Sequence, residues 1–507
     1  MARLTDLPTE LLLDILHHIP REDLEPTSEA SRLLRRVTYP LLVKHRERLE
    51  EEYTSCMPPV IEDEALDHEA FKDDFKGWYT VLLCAVITEK RIGRFVKELS
   101  VISRTWHLDG VAIDWDPDQM FPGALPGFTK ARGQHGNHNL RTFRQILEPA
   151  LRQSILLSQE EKDHWLKGLH IGNQMLAVAL LLENLPTLNS ITINLEHGEH
   201  SIEYDQLVIC VERAAAESRT RLSLESPVSL PCQNLTTVEL TFDQEVWHPI
   251  THITAFLALP SIAYLKCSGL YMNEGKHQPG AGLVSHPSSI VELSFIDASM
   301  DLTALSELAQ NAPNLKRFLY IYGAHEDMYE RDEWLARGPL HMIPALGKSV
   351  GHCLESLRVF GFQQAARLGS ETFKDFQFLK RLQTDPIVLQ DEEGGSELGG
   401  VASILPASLH QGFRLYWNGK YPMEDMQNVR DYLVNLMQEV NDVLPLLQTI
   451  SIFGRFSKRD VEFLHVEAET PGWRLSDVER CNSNRDCEGC FATCTFQRTP
   501  EEARRPA

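Results

Sequence analysis

One local pattern recurs along most of this chain and restricts its fold more than any other feature: apolar, two residues, apolar, one residue, apolar. It stands at Leu188-x2-Ile191-x-Ile193, Leu235-x2-Val238-x-Leu240, Ile262-x2-Leu265-x-Cys267 and Ile290-x2-Leu293-x-Phe295. It continues at Leu315-x2-Phe318-x-Tyr320, Leu354-x2-Leu357-x-Val359, Leu379-x2-Leu382-x-Thr384 and Leu447-x2-Ile450-x-Ile452, with an eroded copy between Leu409 and Leu415. The central copies start at residues 235, 262, 290 and 315, in steps of 27, 28 and 25. Helical stretches precede several of them, at Ala177–Leu185, Ile253–Leu259, Leu302–Ala309 and Val429–Val443. Leu185-Pro186, Leu259-Pro260, Ala312-Pro313 and Leu444-Pro445 mark the turn between helix and strand, because proline ends the helix and biases the residue before it to extended geometry.

Steps of 25 to 28 residues fall in the range of about 20–29 that characterises leucine-rich repeats. One strand and one helix cannot cover both their apolar faces alone, so successive units must stack and complete each other's core. The expected fold class is therefore α/β, an irregular leucine-rich repeat solenoid in which a curved parallel sheet is lined by helices. It spans 94–460, with insertions where the gaps widen and a first strand at Phe95–Val101. The sheet face of such an array is offered to a partner.

Ahead of this body, Leu7-Pro8-Thr9-Glu10 opens a helix carrying Leu11, Leu12, Leu13, Ile15, Leu16 and Ile19. Pro8 suits the first helical turn and Glu10 the positive end of the helix dipole. Leu11, Ile15 and Ile19 repeat at i+4, and Leu12 with Leu16 widens the apolar face. Pro20 ends the helix. After Asp23-Leu24, a second helical stretch should turn Ala30, Leu33, Leu34 and Val37 inward and Arg32, Arg35 and Arg36 outward. A unit of this size is too small to bury all of its leucines, and each Leu or Ile left wet forfeits ~1.5–3 kcal/mol. The surplus implies a partner.

The order Leu7, Pro8, Glu10, Leu11, Ile15, Leu16, Ile19, Asp23, Leu24, Ser31, Arg32 resembles the F-box, a three-helix module. Pro26 departs from the pattern and makes the second helix start late or bend. The resemblance implies docking on the Skp-type adaptor of a cullin–RING ubiquitin ligase through Leu7, Pro8, Glu10, Leu11, Ile15, Leu16, Ile19 and Leu24. The body is similar to that of F-box proteins common in filamentous fungi, which share a segment like Phe373–Leu382 and a Leu-Pro-x-Ser-Leu like Leu405–Leu409. The resulting division is an F-box domain at 1–50, an acidic linker and capping helix at 51–93, the repeats at 94–460, and a cysteine-containing, unstructured tail at 461–507.

Other features narrow the chemistry. The net charge, 49 − 72 = −23, argues against nucleic acid, which is bound by neutralising phosphates. The most apolar stretch, Met175–Leu182, is too short for a membrane span of ~20 residues. Met1–Glu10 lacks the basic stretch and apolar core of a secretion signal, and the cysteines up to Cys353 are scattered singly. A cytoplasmic or nuclear protein with reduced thiols is expected, which leaves Asn234-Leu235-Thr236 a glycosylation triplet by pattern only. Catalytic motifs are missing, so neither enzymatic activity nor a cofactor is expected.

His17-His18, His135 and His138, and the loop Gly394–Gly400 read as solvated or loop residues, and Trp106 and Trp115 as side chains that fold a long loop onto the core rather than recognition residues. Cys481, Cys487, Cys490 and Cys494 are spaced C-x5-C-x2-C-x3-C. Four thiolates suit tetrahedral zinc, but structural sites separate their ligand pairs further; a thiol-rich tail without metal is the expectation. The chain reads as a target-binding subunit of a ubiquitin ligase, with a repeat scaffold outside any ligase as the alternative and a small-molecule hydrolase as a third reading.

Overall fold

The structure is a computed structural model. It describes residues 7–18, 27–28, 30–56, 78–88, 90–102, 137–170, 174–195, 202–222, 230–242, 248–272, 288–300, 302–323, 342–360, 373, 375–385, 404–417, 426–455, 464, 472–480 and 491–499. Strands and helices are interspersed along the chain, the fold is α/β, and most of the described strands are parallel. The chain divides into two compact units, Met1–Val238 and Glu239–Ala507.

The first unit opens with helices α1 (Thr9–His18) and α2 (Arg32–Tyr53). Strands β1 (Ser55–Cys56), β2 (Glu98–Ile102) and β3 (Ser190–Leu195) pair in parallel in chain order. The expected first strand at Phe95–Val101 thus lies slightly later and is preceded by β1, formed within the segment read as linker. Around them stand α3 (Trp78–Thr88), α4 (Asn137–Gln153), α5 (Gln159–His170), α6 (Gln174–Asn184) and α7 (Ile202–Leu222). Every residue from Met175 to Leu182 in α6 is buried. The helix can be apolar all round because it touches α3, α5 and α7. Strand β4 (Thr237–Phe242) straddles the division between the units.

The second unit contains α8 (Thr251–Leu257), β5 (Tyr264–Ser268), β6 (Glu292–Ala298), α9 (Leu302–Gln310), β7 (Arg317–Tyr322), α10 (342–350), β8 (Ser356–Phe360), β9 (Arg381–Thr384), β10 (Gly412–Trp417), α11 (Met426–Val443) and β11 (Thr449–Arg455). Strands β5 to β11 are parallel neighbours in chain order. The repeated pattern maps onto this sheet column by column. Its first apolar residue precedes the strand: Ile262, Ile290, Leu315, Leu354, Leu379 and Leu447 have no exposed surface, nor does Leu409 in the eroded copy. Its second forms the in-register row Leu265, Leu293, Phe318, Leu357, Leu382, Phe413, Ile450. Its third forms Cys267, Phe295, Tyr320, Val359, Thr384, Leu415, Ile452. The even period of a strand turns all of these to one face.

Strands β7, β8 and β9 each start by giving two consecutive backbone N–H groups to one carbonyl beside the start of the preceding strand. Lys316 and Arg317 donate to Val291 O, Glu355 and Ser356 to Lys316 O, and Lys380 and Arg381 to Glu355 O. A second tie is made by the side chain just before the first apolar position. Ser289 Oγ donates to Pro260 O and Ile262 O, and Ser408 Oγ donates to Phe376 O and Leu379 O. Thr187 and Asn234 do the same in the first unit, reaching Gly93 O and Val96 O, and Pro186 O. The glycosylation-like Asn234 thus links successive copies of the pattern within the first unit.

The tail expected to be unstructured contains two strands, β12 (Trp473–Arg480) and β13 (Phe491–Arg498). They pair antiparallel with each other, and β13 pairs antiparallel with β11. A parallel array ends in unpaired backbone groups, and β13 satisfies those of β11. It also places Phe496 and Cys494 opposite Ile450 and Ile452, continuing both buried rows.

Candidate docking surface on the N-terminal helices

Helix α1 starts with the bond from Leu12 N to Pro8 O, 3.0 Å. Helix α2 is capped by Ser31, whose Oγ accepts from Leu34 N at 3.1 Å. Its first residue is Arg32, five residues after Thr27, the first described residue following Pro26. The two helices meet through Leu12, Leu16, Leu34 and Val37, which are buried together, with Leu7, Leu13 and Leu41 packed against them. Thr38, also buried, turns its hydroxyl back to Leu34 O at 2.7 Å.

This seam divides the expected docking residues. Leu16 is only 2% exposed and belongs to the seam, so it lines no open surface. Leu7 is half-buried against the same cluster. Pro8 and Glu10 are exposed, as are Leu11 at 50% and Ile15 at 38%. Leu11 and Ile15 lie one turn apart, so their side chains are neighbours on one stripe of α1. Ile19 and Leu24 lie outside the described residues. On α2, Leu34 and Val37 turn inward as expected and Arg32, Arg35 and Arg36 outward, but Ala30 and Leu33 are exposed. The buried stripe runs through residues 34, 37, 38 and 42, and Leu33 falls at its flank. Tyr39, 63% exposed, is an apolar surface residue that sequence periodicity alone did not single out.

The C-terminal end of α2 is tied to the sheet. Thr54 O accepts from Lys97 N and Glu98 N, both at 3.0 Å, and Lys97 Nζ meets Glu50 Oε1 at 3.0 Å on the surface.

Several titratable groups elsewhere are shifted by burial or by an ion pair. Burial pushes the thiols of Cys56, Cys210 and Cys232 up to about 12, and those of Cys84 and Cys267 higher still. They stay protonated at neutral pH and pack as small apolar groups. Glu161 is held down at about 2, first by its hydrogen bonds from Arg213 at 2.6 and 2.9 Å, which clamp α5 to α7. Of the four clustered cysteines only Cys494 is described, fully buried in β13; Cys481, Cys487 and Cys490 lie outside the described residues, as do Trp106, Trp115, His135 and Gly394–Gly400 and the side chain of His138. Among the described residues no group of three or more His, Cys, Asp or Glu could hold a metal ion, and no helix is long and apolar enough to cross a membrane. Neither a protein-family model nor a curated protein matches this chain.

Proposed function

We propose that this chain is the target-binding subunit of a cullin–RING ubiquitin ligase, held to the Skp-type adaptor by α1 and α2 and presenting a target protein on its sheet. Such a subunit performs no chemistry of its own. It raises the effective concentration of the target beside the charged conjugating enzyme.

The observation that carries this reading is the division of α1 into two stripes. Leu12 and Leu16 already close the seam with α2, yet Leu11 and Ile15 remain in water beside it. Completing their burial would release roughly 1 kcal/mol each, half of what a fully exposed side chain offers. The F-box-like order of residues from Leu7 to Arg32 names the partner class. A different reading, that α1 and α2 form the terminal cap of a repeat scaffold, draws support from the bonds between Thr54, Lys97 and Glu98.

Capture of purified Skp-type adaptor by the full chain separates the two. A stoichiometric complex at micromolar concentration, lost in the variants Leu11→Asp and Ile15→Asp, is the expected result. Failure of the unaltered chain to bind at that concentration leaves the cap reading.

A further inference from the structure

The open side of strands β5 to β11 carries, in two rows, a charge opposite to that of the chain. Two in-register rows lie on it, between the buried ones. One is Tyr264, Glu292, Arg317, Ser356, Arg381, Gly412; the other is Lys266, Ser294, Leu319, Arg358, Gln383, Arg414, Ser451. They contain five basic residues and one acidic residue, +4 in a chain of −23. Arg317 is paired with Glu292 at 2.5 Å and Lys266 with Glu239 at 3.1 Å. Arg358 and Arg381 are exposed and have no ion-pair partner among the described residues.

Arg358 and Arg414 are both register partners of Gln383, so they stand two strand spacings apart, roughly 10 Å. Arg381 lies on the strand between them, two residues before Gln383. Beside this triangle run three half-buried rings. Phe360 stacks on Tyr416 with centroids 4.6 Å apart, and Tyr416 on Phe453 at 5.3 Å, both at 28° between planes. Each ring is two residues beyond Arg358, Arg414 and Ser451 respectively, and therefore on the same face. Asp385, which follows β9, is buried and does not present its carboxylate to solvent.

We propose that this face binds an extended acidic segment of a partner polypeptide, its carboxylates on Arg358, Arg381 and Arg414 and an apolar side chain on the Phe360–Tyr416–Phe453 stack. A segment in the extended polyproline II form advances ~3.1 Å per residue with three residues per turn, so acidic residues three apart share one side and match the span between Arg358 and Arg414. A short acidic segment meets the local arginines, whereas a long polyanion would also have to run past the acidic remainder of the protein within a Debye length of ~8–10 Å. The inference deepens the proposed function by naming its target class, and rests on that reading only for purpose, since the binding itself needs no adaptor.

The test is fluorescence anisotropy with the full chain and a short labelled peptide carrying Glu at every third position and a central Phe. The same peptide with Lys, the same with phosphoserine for Glu, and an oligothymidine of equal length serve as comparisons. The Glu peptide should bind, weaken with added salt, and lose about tenfold or more in affinity with Arg358→Glu, Arg414→Glu or Tyr416→Ala. Lys167→Glu on α5, an equal change in net charge at an exposed position, should leave binding unchanged. Unaltered melting temperatures exclude unfolding of the variants. No binding of the Glu peptide, binding only of the phosphopeptide or the oligothymidine, or indifference to Arg358→Glu and Arg414→Glu overturns the inference. Adaptor capture on the same preparations keeps a failure here distinct from a failure of the ligase reading.

Discussion

Arg498 on β13 donates from Nη2 to Asn441 Oδ1 at 2.8 Å, in the last turn of α11. The same oxygen accepts from Trp473 Nε1 at 2.9 Å, and the guanidinium lies 5.5 Å from the centroid of the Trp473 ring. Arg498 Nη1 also donates to the carbonyls of Leu444 and Pro445, just beyond the end of the helix. A cation there meets the negative end of the helix dipole. Residues far apart in sequence thereby fasten the terminal hairpin to the last repeat. Arg498→Ala should lower the stability of the second unit by about 1–3 kcal/mol. Asn441→Ala should cost a similar amount and the double variant less than the sum, because the two share one network. Urea midpoints of the four proteins check this, and full additivity would contradict a shared network.

The two stripes of α1 should separate stability from binding. Leu16→Ala removes a buried side chain and should destabilise the N-terminal helices by ~2–5 kcal/mol. Leu11→Ser alters an exposed position and should change stability by no more than about 0.5 kcal/mol while weakening adaptor capture. Hydrogen exchange of α1 and α2 reports the first effect, and the capture assay the second.

The side-chain ties between units predict a graded cost. Ser408→Ala and Ser289→Ala each remove a hydroxyl that bonds two carbonyls of the preceding unit, and each should cost about 1 kcal/mol. The sites are more than a hundred residues apart and share no partner, so the double variant should show the sum. Denaturant titration of the single and double variants measures it.

Acid should loosen the contact between α5 and α7. Arg213 holds Glu161 at about 2, below its ordinary 4.5. A carboxylate depressed in the folded state contributes stability that is complete above its unfolded value and lost as pH falls through the folded one. The loss therefore lies between about pH 4.5 and pH 2. Glu161→Gln should remove this share of the acid sensitivity, read as a flatter dependence of the urea midpoint on pH across that window.

The body of the fold was largely legible because its signal is repeated. Ile290, Leu293 and Phe295 mean little alone, but the same spacing at Leu354, Leu357 and Val359 fixes both the strand and its inward face. Even Thr384, polar in the third position, is fully buried because its row demands it. The hairpin of β12 and β13 is not legible in the sequence, because the alternation in Thr493, Cys494, Thr495, Phe496 is short and its pairing with β11 joins residues some forty positions apart. Leu16 and Ile15 could not be told apart by pattern, since both lie on an apolar arc wider than one contact.

Sequence alone determined the repeating unit, its α/β class and the parallel order of most strands, because a spacing of 25 to 28 residues and an even strand period leave few ways to bury the same three positions. It also shows that the first helix carries apolar residues on an arc wider than one stripe. Tertiary structure alone decided which of its leucines are spent on the seam with α2 and which stay in water. It also decided that the tail closes the sheet edge, and that Arg358, Arg381 and Arg414 gather on one face. Those outcomes depend on distances between residues far apart in the chain. Burial and charge act through space, and spacing along the sequence reports them only where a repeat makes the two coincide.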